Sequence, residues 1–473
     1  MKRLWPAVVA VSAAVGLSWA GAAGASASGA AGSAGSWGRA IEVPGLGALN
    51  TGNAEVNSVS CGAAGSCAAV GRYLDRRGHG QGFVAVEKKG AWGRAVEVPG
   101  LGALNKGGDA GVRAVSCASA GNCTAAGAYR DRSRHYQGFV VSERNGVWGR
   151  AVEVPGLGTL NKDDAAVFSV SCASAGNCVA GGAYNSSRGD SQGFVAAETN
   201  GVWGQAAEVP GLGALNTGGA AGVVSVSCAS AGNCVAGGDY SSSDNTQGFV
   251  AAETNGIWGQ AADVPGLAKL NTGGGAGVLT VSCPSAGNCA AGGDYTDSLD
   301  DGQGFVAGEK NGVWGNAIGV PGLRKLNDDF SAEVDVLSCP SAGNCTAVGT
   351  YGEPYGTGFV AAEKNGVWGQ ADDVGIVGGR IAGANSVSCE SAGTCVAGGS
   401  YSDSTGGLSF GWVAAERHGR WGNGTEVPAK GTLNKGAFAV VTSVSCPPAG
   451  RCAAGGYYTD SHHHSQGFVV SQS

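Results

Sequence analysis

One phrase recurs eight times along this chain: S-x-S-C-x5-C-x-A-x-G, a tyrosine and a polar loop, Q-G-F-V-A-x-E, N-G-x-W-G, then V-P-G-L. The first cysteine of each copy falls at Cys61, Cys117, Cys172, Cys228, Cys283, Cys339, Cys389 and Cys446, so the steps are 56, 55, 56, 55, 56, 50 and 57 residues. A fixed period of this length means one supersecondary unit repeated, not several unrelated domains.

The copy from Val223 to Val264 reads as four strands. Val223–Cys228 is a short β-branched run, Ala229–Asn233 a turn, and Cys234–Tyr240 a second strand. The two cysteines can meet as a cross-strand pair in that hairpin. Ser241–Gln247 is a polar loop and Gly248–Thr254 a third strand. Asn255-Gly256 is a strong hairpin signal, because a type I′ turn needs positive φ at both positions. Ile257–Val264 is the fourth strand, ended by Pro265, which cannot extend a ladder. No segment carries helical periodicity.

Four-stranded antiparallel units repeated radially make a β-propeller; a linear solenoid is the rival. The ends decide between them. Ser36-Trp37-Gly38 to Val43 reads as a fourth strand without its first three, and Gly467–Ser471 as a third strand without its fourth. A ring joins them, whereas a solenoid leaves both as open edges. The expectation is an all-β, eight-bladed propeller spanning residues 36–473, its last blade closed by the N-terminal strand.

Residues 1–27 read as a secretory signal: Lys2 and Arg3, an apolar run from Leu4 to Ala20, and an A-x-A site at Ala25-Ser26-Ala27. Residues 28–35 are a short Gly/Ala/Ser linker. No second long apolar run follows, so an extracellular chain without a membrane span is expected. The sixteen cysteines agree with that. They form eight C-x5-C pairs: Cys61 with Cys67, Cys117 with Cys123, Cys172 with Cys178, Cys228 with Cys234, Cys283 with Cys289, Cys339 with Cys345, Cys389 with Cys395 and Cys446 with Cys452. Zinc pairs use shorter spacings and no histidine recurs beside these, so disulfides are expected and no metal. A net charge of −7 gives no sign of a nucleic-acid partner. No cofactor motif is present, and a monomer is expected.

Residues present in every copy serve the fold first, because a catalytic site needs one copy. That reading covers the tryptophans (Trp37, Trp92, Trp148, Trp203, Trp258, Trp314, Trp368, Trp421), the phenylalanine of G-F-V, replaced by Trp412 in copy seven, and the glutamate of each third strand. Sugar stacking on the tryptophan ring is the rival reading.

The phrases SVSCASAGNCVAGGAY (Ser169–Tyr184) and NGVWG (Asn200–Gly204) resemble those of exported actinobacterial BNR-like and YVTN-like repeat propellers. The resemblance covers nearly the whole mature chain and implies the propeller architecture. The N-G-x-W turn stands where Asp-box propellers carry S-x-D-x-G-x-x-W. Here Thr199 replaces the Asp and Trp203 comes one residue early.

Function is sought where copies differ. The loops between strands two and three, and between strand four and the next copy, share one face and vary most. Copy one places Arg76, Arg77 and His79 there, copy two Arg130, Arg132, Arg134 and His135, and copy eight His462, His463 and His464. In a closed ring these are neighbours, forming a basic arc suited to an anionic polysaccharide or an acidic protein. Asp75 and Asp131 dilute its charge, and copy five is acidic, with Asp297, Asp300 and Asp301. The first reading is a non-catalytic binding or scaffold propeller. A carbohydrate-active hydrolase or lyase at the central channel is an alternative, with Asp239, Asp294 and Tyr295 as ungrouped candidates. A structural surface-coat protein is another. In copy seven, residues 372–384 lack the P-G-L phrase.

Overall fold

The structure is a computed structural model that describes residues 36–473 apart from 244, 328–330, 353–355, 374–381, 403–407, 429–432, 437 and 449. The signal sequence, the linker and most of the irregular segment of copy seven lie outside these residues. Among the described residues no helix is long and apolar enough to cross a membrane.

The eight copies form eight antiparallel sheets arranged in a ring, an eight-bladed β-propeller. In blade four the strands are Ala221–Ser230, Asn233–Ser241 and Thr246–Thr254 from the axis outward. The outer strand differs from expectation. It is broken into Ile257–Trp258 and Ala262–Asp263, and both pieces pair with the third strand. A bulge at Gly259–Ala261 separates them, with the Gly259 amide returning to the Ala252 carbonyl. Asn255 and Gly256 have φ of 52° and 80°, as the N-G turn requires.

A second difference lies in the V-P-G-L phrase. Each complete copy forms a one-turn helix, such as Leu212–Leu215, entered through a left-handed glycine. Four residues are too few to register as periodicity. The helix drives Leu212 into the blade junction, where it is fully buried. A Cβ on Gly193 would stand 2.8 Å from Leu212 Cδ2. The glycine of Q-G-F thus makes room for the leucine of P-G-L.

Ring closure follows the expected route. Ile41–Glu42 pairs antiparallel with the last third strand, Ile41 opposite Val469 and Glu42 opposite Phe468. The recurrent tryptophans are half-buried and pack against the blade cores.

All eight expected disulfides are formed, each within its own hairpin. Their placement on the ladder is less uniform than the repeat suggests. In blade one Cys61 stands directly opposite Cys67, as a cross-strand pair should. In blade five the register breaks between Ser282 and Ser285, so Cys283 and Cys289 are bonded to each other without being ladder partners. In blade eight the strands Ala439–Ser445 and Ala453–Thr459 leave Cys446 and Cys452 outside the ladder altogether, and the disulfide joins that end of the hairpin. Copy eight has Pro447-Pro448 where copy four has Ala229-Ser230, and a proline has no amide to give to pairing there.

The two serines of S-x-S-C explain why that phrase recurs. The second serine of every blade accepts the backbone N–H of the first cysteine in the next blade: Ser60 from Cys117, Ser227 from Cys283, and Ser445 from Cys61, which closes the circuit. All eight such bonds are present, at 2.9–3.0 Å. They join strands of different sheets that no ladder could join. Ser227→Ala strands a buried N–H, so it is expected to cost about 1–3 kcal/mol. Urea unfolding of Ser227→Ala beside Ser241→Ala, a half-buried serine at the end of the second strand, checks this; equal midpoints would remove the inter-blade role.

Candidate functional site

The Asn-Gly turn of each blade lies against its cysteine turn; the Gly256 amide donates to the Gly232 carbonyl, and six other blades repeat this contact. The two-to-three loops and the junctions between blades occupy the opposite face, where the Thr51 amide meets the Leu74 carbonyl. The variable segments therefore do share one face.

On it, the loops of blades one, two and eight are built alike. In blade one, Asp75 Oδ1 accepts the backbone N–H groups of Arg77 and His79, and Oδ2 accepts from Gln81. Asp460 does the same for His462, His464 and Gln466. Asp131 accepts the His135 amide and the Gln137 side chain. Burial raises the pKa of Asp75 and Asp460, but the backbone donors outweigh it and hold both below the usual carboxylate range. These aspartates therefore act as the internal posts of short, rigid turns. They still carry charge, but it is spent inward.

The side chains they present are exposed: Arg76, Arg77 and His79, Arg132 and Arg134, and His462 to His464. His135 is half-buried, 3.5 Å from Asp163. Arg130 departs from its expected place in the arc. Its guanidinium turns back over the Tyr136 ring and donates Nε to the Arg134 carbonyl, so it clamps its own loop. Sequence reasoning missed the exposed Lys106, Lys162 and Lys435. All three follow a Leu-Asn pair, which ends a junction helix before Lys106 and Lys162, and comparing that one position between copies would have found them. With Arg188 of blade three they extend the arc from the junction of blades seven and eight through to blade three. Blade five opposes it with the exposed Asp300.

The cysteines take no part in this arc. Cys67, Cys289 and Cys452 are buried in the cores of blades one, five and eight, at the end of the hairpin far from the variable loops. Their backbone groups serve the fold as well. The Cys452 amide donates to Gln472 Oε1, and the Cys289 amide is a donor to Glu309 that partly offsets the rise burial causes in its pKa.

The central channel carries a second charged region. Asp239 and Asp294 lie on the second strands of blades four and five and converge at Gly277, where a Cβ would stand 3.6 Å from Asp239 Cβ and 3.4 Å from Asp294 Oδ1. Burial lifts Asp239 to about 6. Burial, then the charges of Glu333 and Asp239, lift Asp294 to about 7. Glu333 and Asp335 of blade six are raised as well, chiefly by burial. Tyr295 does not join them. Successive strand residues face opposite ways, and Tyr295 packs into the core of its own blade.

On the other face, a cleft between blades six and seven is lined by Thr346, Glu363, Lys364, Asn365, Glu416 and His418. Its two glutamates belong to the recurrent set, which is buried in all seven blades that carry it. No group of three or more His, Cys, Asp or Glu side chains among the described residues is arranged to hold a metal.

No protein-family model and no curated protein matches this chain. Among solved structures, Sqt1 from Chaetomium thermophilum gives a TM-score of 0.49 at 11% identity, covering 90% of this chain and 97% of that one. The GH74 xyloglucanase from Xanthomonas campestris gives 0.45 at 11% identity, covering 92% of this chain and 55% of the xyloglucanase. The acylaminoacyl peptidase from Pyrococcus horikoshii gives 0.43 at 8% identity, covering 88% and 59%. Likenesses this distant assign no activity.

Proposed function

We propose that the chain is an exported, non-catalytic binding propeller that holds an anionic polysaccharide along the basic arc of its variable face. The observation that carries this reading is the run of exposed cations from Lys435 through Arg76, Arg77, Lys106, Arg132 and Arg134 to Lys162 and Arg188, with Asp75, Asp131 and Asp460 turned inward as turn posts and Asp163 the exposed carboxylate beside Lys162. Rigid loops lose little entropy on binding. A curved row of cations suits a polymer that repeats its own charge. Export is supported by the N-terminal pattern and by eight disulfides, and a ring closed within one chain suits a monomer.

A glycosidase reading draws on the channel carboxylates. That chemistry needs one carboxyl kept protonated and another kept ionised. Here Asp239, Asp294, Glu333 and Asp335 are all displaced in the same direction, which favours binding over acid–base catalysis.

The test is binding to an immobilised uronate polymer, such as polygalacturonate, at low and high salt. The variant R76A/R77A/R132A/R134A leaves the Arg130 clamp in place. Wild-type affinity is expected to fall steeply between about 0.05 and 0.5 M salt, because exposed charges are screened over about 10 Å at 0.1 M. The variant is expected to bind at least about tenfold more weakly. Equal binding by the two proteins would remove the arc from the function.

A further inference from the structure

The innermost strand of every blade carries a bulge at one fixed position. In blade two the register runs from Val112 opposite Gly127 to Ala114 opposite Ala126, which leaves Arg113 without a cross-strand partner. The other seven blades place Asn57, Phe168, Val224, Leu279, Asp335, Asn385 and Thr442 at the same point. A bulge re-aims the side chain it carries. Here it turns each one along the channel wall toward the following blade. Asn57 Nδ2 donates to the Val112 carbonyl, Asn385 Nδ2 to the Val441 carbonyl, and Thr442 Oγ1 to the Val56 carbonyl. Arg113 lies 5.2 Å from the centre of the Phe168 ring.

The residues flanking this position barely vary, yet the position itself is Asn, Arg, Phe, Val, Leu, Asp, Asn and Thr around the ring. Fold alone does not ask for that variety, and its order is not random. Arg113 in blade two and Asp335 in blade six are four blades apart in a ring of eight, so they stand diametrically opposite. One half-circle between them is apolar, formed by Phe168, Val224 and Leu279. The other half is Asn385, Thr442 and Asn57, whose polar groups are already spent on neighbouring backbone.

Arg113 carries the argument furthest. Its guanidinium is enclosed by the channel wall, and burial depresses its pKa. It stacks on an aromatic ring, and no described residue accepts a hydrogen bond from it or forms an ion pair with it. Arg72, the other arginine of this wall, is by contrast committed to Asp109 at 2.8 Å. Tyr136 lies near it with its hydroxyl given to Asp109, and a guanidinium with five donors and no acceptor among the described residues is prepared for an anionic group from outside the chain. Across the lumen Asp335 likewise has no cation beside it among the described residues, and Glu333, Asp294 and Asp239 continue its charge toward the variable face. Phe168, Val224 and Leu279 are each only half-buried, so the apolar half-circle keeps an accessible surface.

We infer that the central channel binds a small organic zwitterion, with its carboxylate on Arg113, its ammonium on the Asp335 side and an apolar body against Phe168, Val224 and Leu279. The ligand class is that of ω-amino acids and short apolar peptides. The site is separate from the basic arc and stands whether or not the arc binds a polymer.

Calorimetric titration of the whole mature chain tests this with straight-chain ω-amino acids of four to ten carbons, beside hexanoate and hexylamine. One member of the series is expected to bind, with each single-charge analogue weaker by about tenfold or more, since a hydrogen-bonded charge contributes about 1.5–3 kcal/mol. Arg113→Met and Asp335→Asn are each expected to lose about the same factor. Both should keep wild-type circular dichroism and polygalacturonate binding, while R76A/R77A/R132A/R134A should keep zwitterion binding. The inference fails if no chain length binds, if hexylamine or hexanoate binds as well as the zwitterion, or if folded Arg113→Met binds like the wild type.

Discussion

A chain lacking residues 36–43 is expected to melt about 10 °C below the intact protein and to associate in solution. The segment supplies the outer strand of blade eight, and nothing else in the chain can replace it. Val43 and Ala40 are buried in the closing junction and Trp37 packs against the same core. Burying side chains of this kind contributes about 1.5–3 kcal/mol for each large one. Two hydrogen-bonded contacts go as well: the Val43 amide to the Gly467 carbonyl, and the Tyr458 hydroxyl to Glu42 Oε2. The loss sums to about 5 kcal/mol, at about 2 °C of melting temperature per kcal/mol for a chain this large. Deletion also uncovers Ser465–Ser471 as an open edge, which recruits strands from other molecules. Thermal melting with light scattering checks both outcomes. A truncated monomer melting within 2 °C of the intact protein would mean that the ring is held by the inner strands and their serine bridges alone.

The same strand marks how much was legible in the sequence. Blade number, strand order, the N-G turns, the disulfides and the closure all follow from a period and from two incomplete ends, because eight copies average away local ambiguity. What the copies share was readable as fold, though not always as mechanism. The recurrent tyrosine and the glutamate of E-V-P belong to one device. Tyr73 donates to Glu97, Tyr129 to Glu153 and Tyr184 to Glu208, tying the second strand to the outer edge. Blade five has Gly319 in place of that acid, and its tyrosine is Tyr295, so a residue that suggested chemistry is a fold tyrosine without its usual partner. The site was less legible because contact across a ring is invisible along a chain. Asp239 and Glu333 are 94 positions apart yet belong to one wall. The bulge position was hidden for a different reason. It sits inside an apolar strand, where a lone Arg or Asp reads as noise until the register shift sets it apart from its ladder neighbours. Arg130 illustrates the reverse: its charge was obvious, but its commitment to Tyr136 needed coordinates.

The channel wall should make stability depend on pH in an unusual direction. A carboxyl whose folded pKa is raised contributes its full stability below its unfolded value, near 4, and loses it as pH climbs through the folded value. Asp239 at about 6 and Asp294 at about 7 place that loss between about pH 4 and pH 7. Glu333 and Asp335, and the buried glutamates Glu87, Glu143, Glu253, Glu309, Glu363 and Glu416, are displaced the same way by burial. The lowered pKa values of Asp75 and Asp460 act oppositely, but only below pH 4. The intact protein is therefore expected to melt higher at pH 5 than at pH 8. Asp294→Asn isolates the channel's share. Ionising a carboxyl displaced from 3.8 to about 7 costs about 4 kcal/mol at pH 8. Water in the channel lowers that to about 1–2 kcal/mol. The variant is expected to gain about 2–4 °C at pH 8, about a third to a half of that at pH 5, and nothing below pH 4. A gain of the same size at all these pH values would mean that relief of crowding, and not of charge, stabilises it. A loss at pH 8 would mean that Asp294 holds a favourable partner when ionised, and the acidic wall would then be a neutralised structural element instead of an open one.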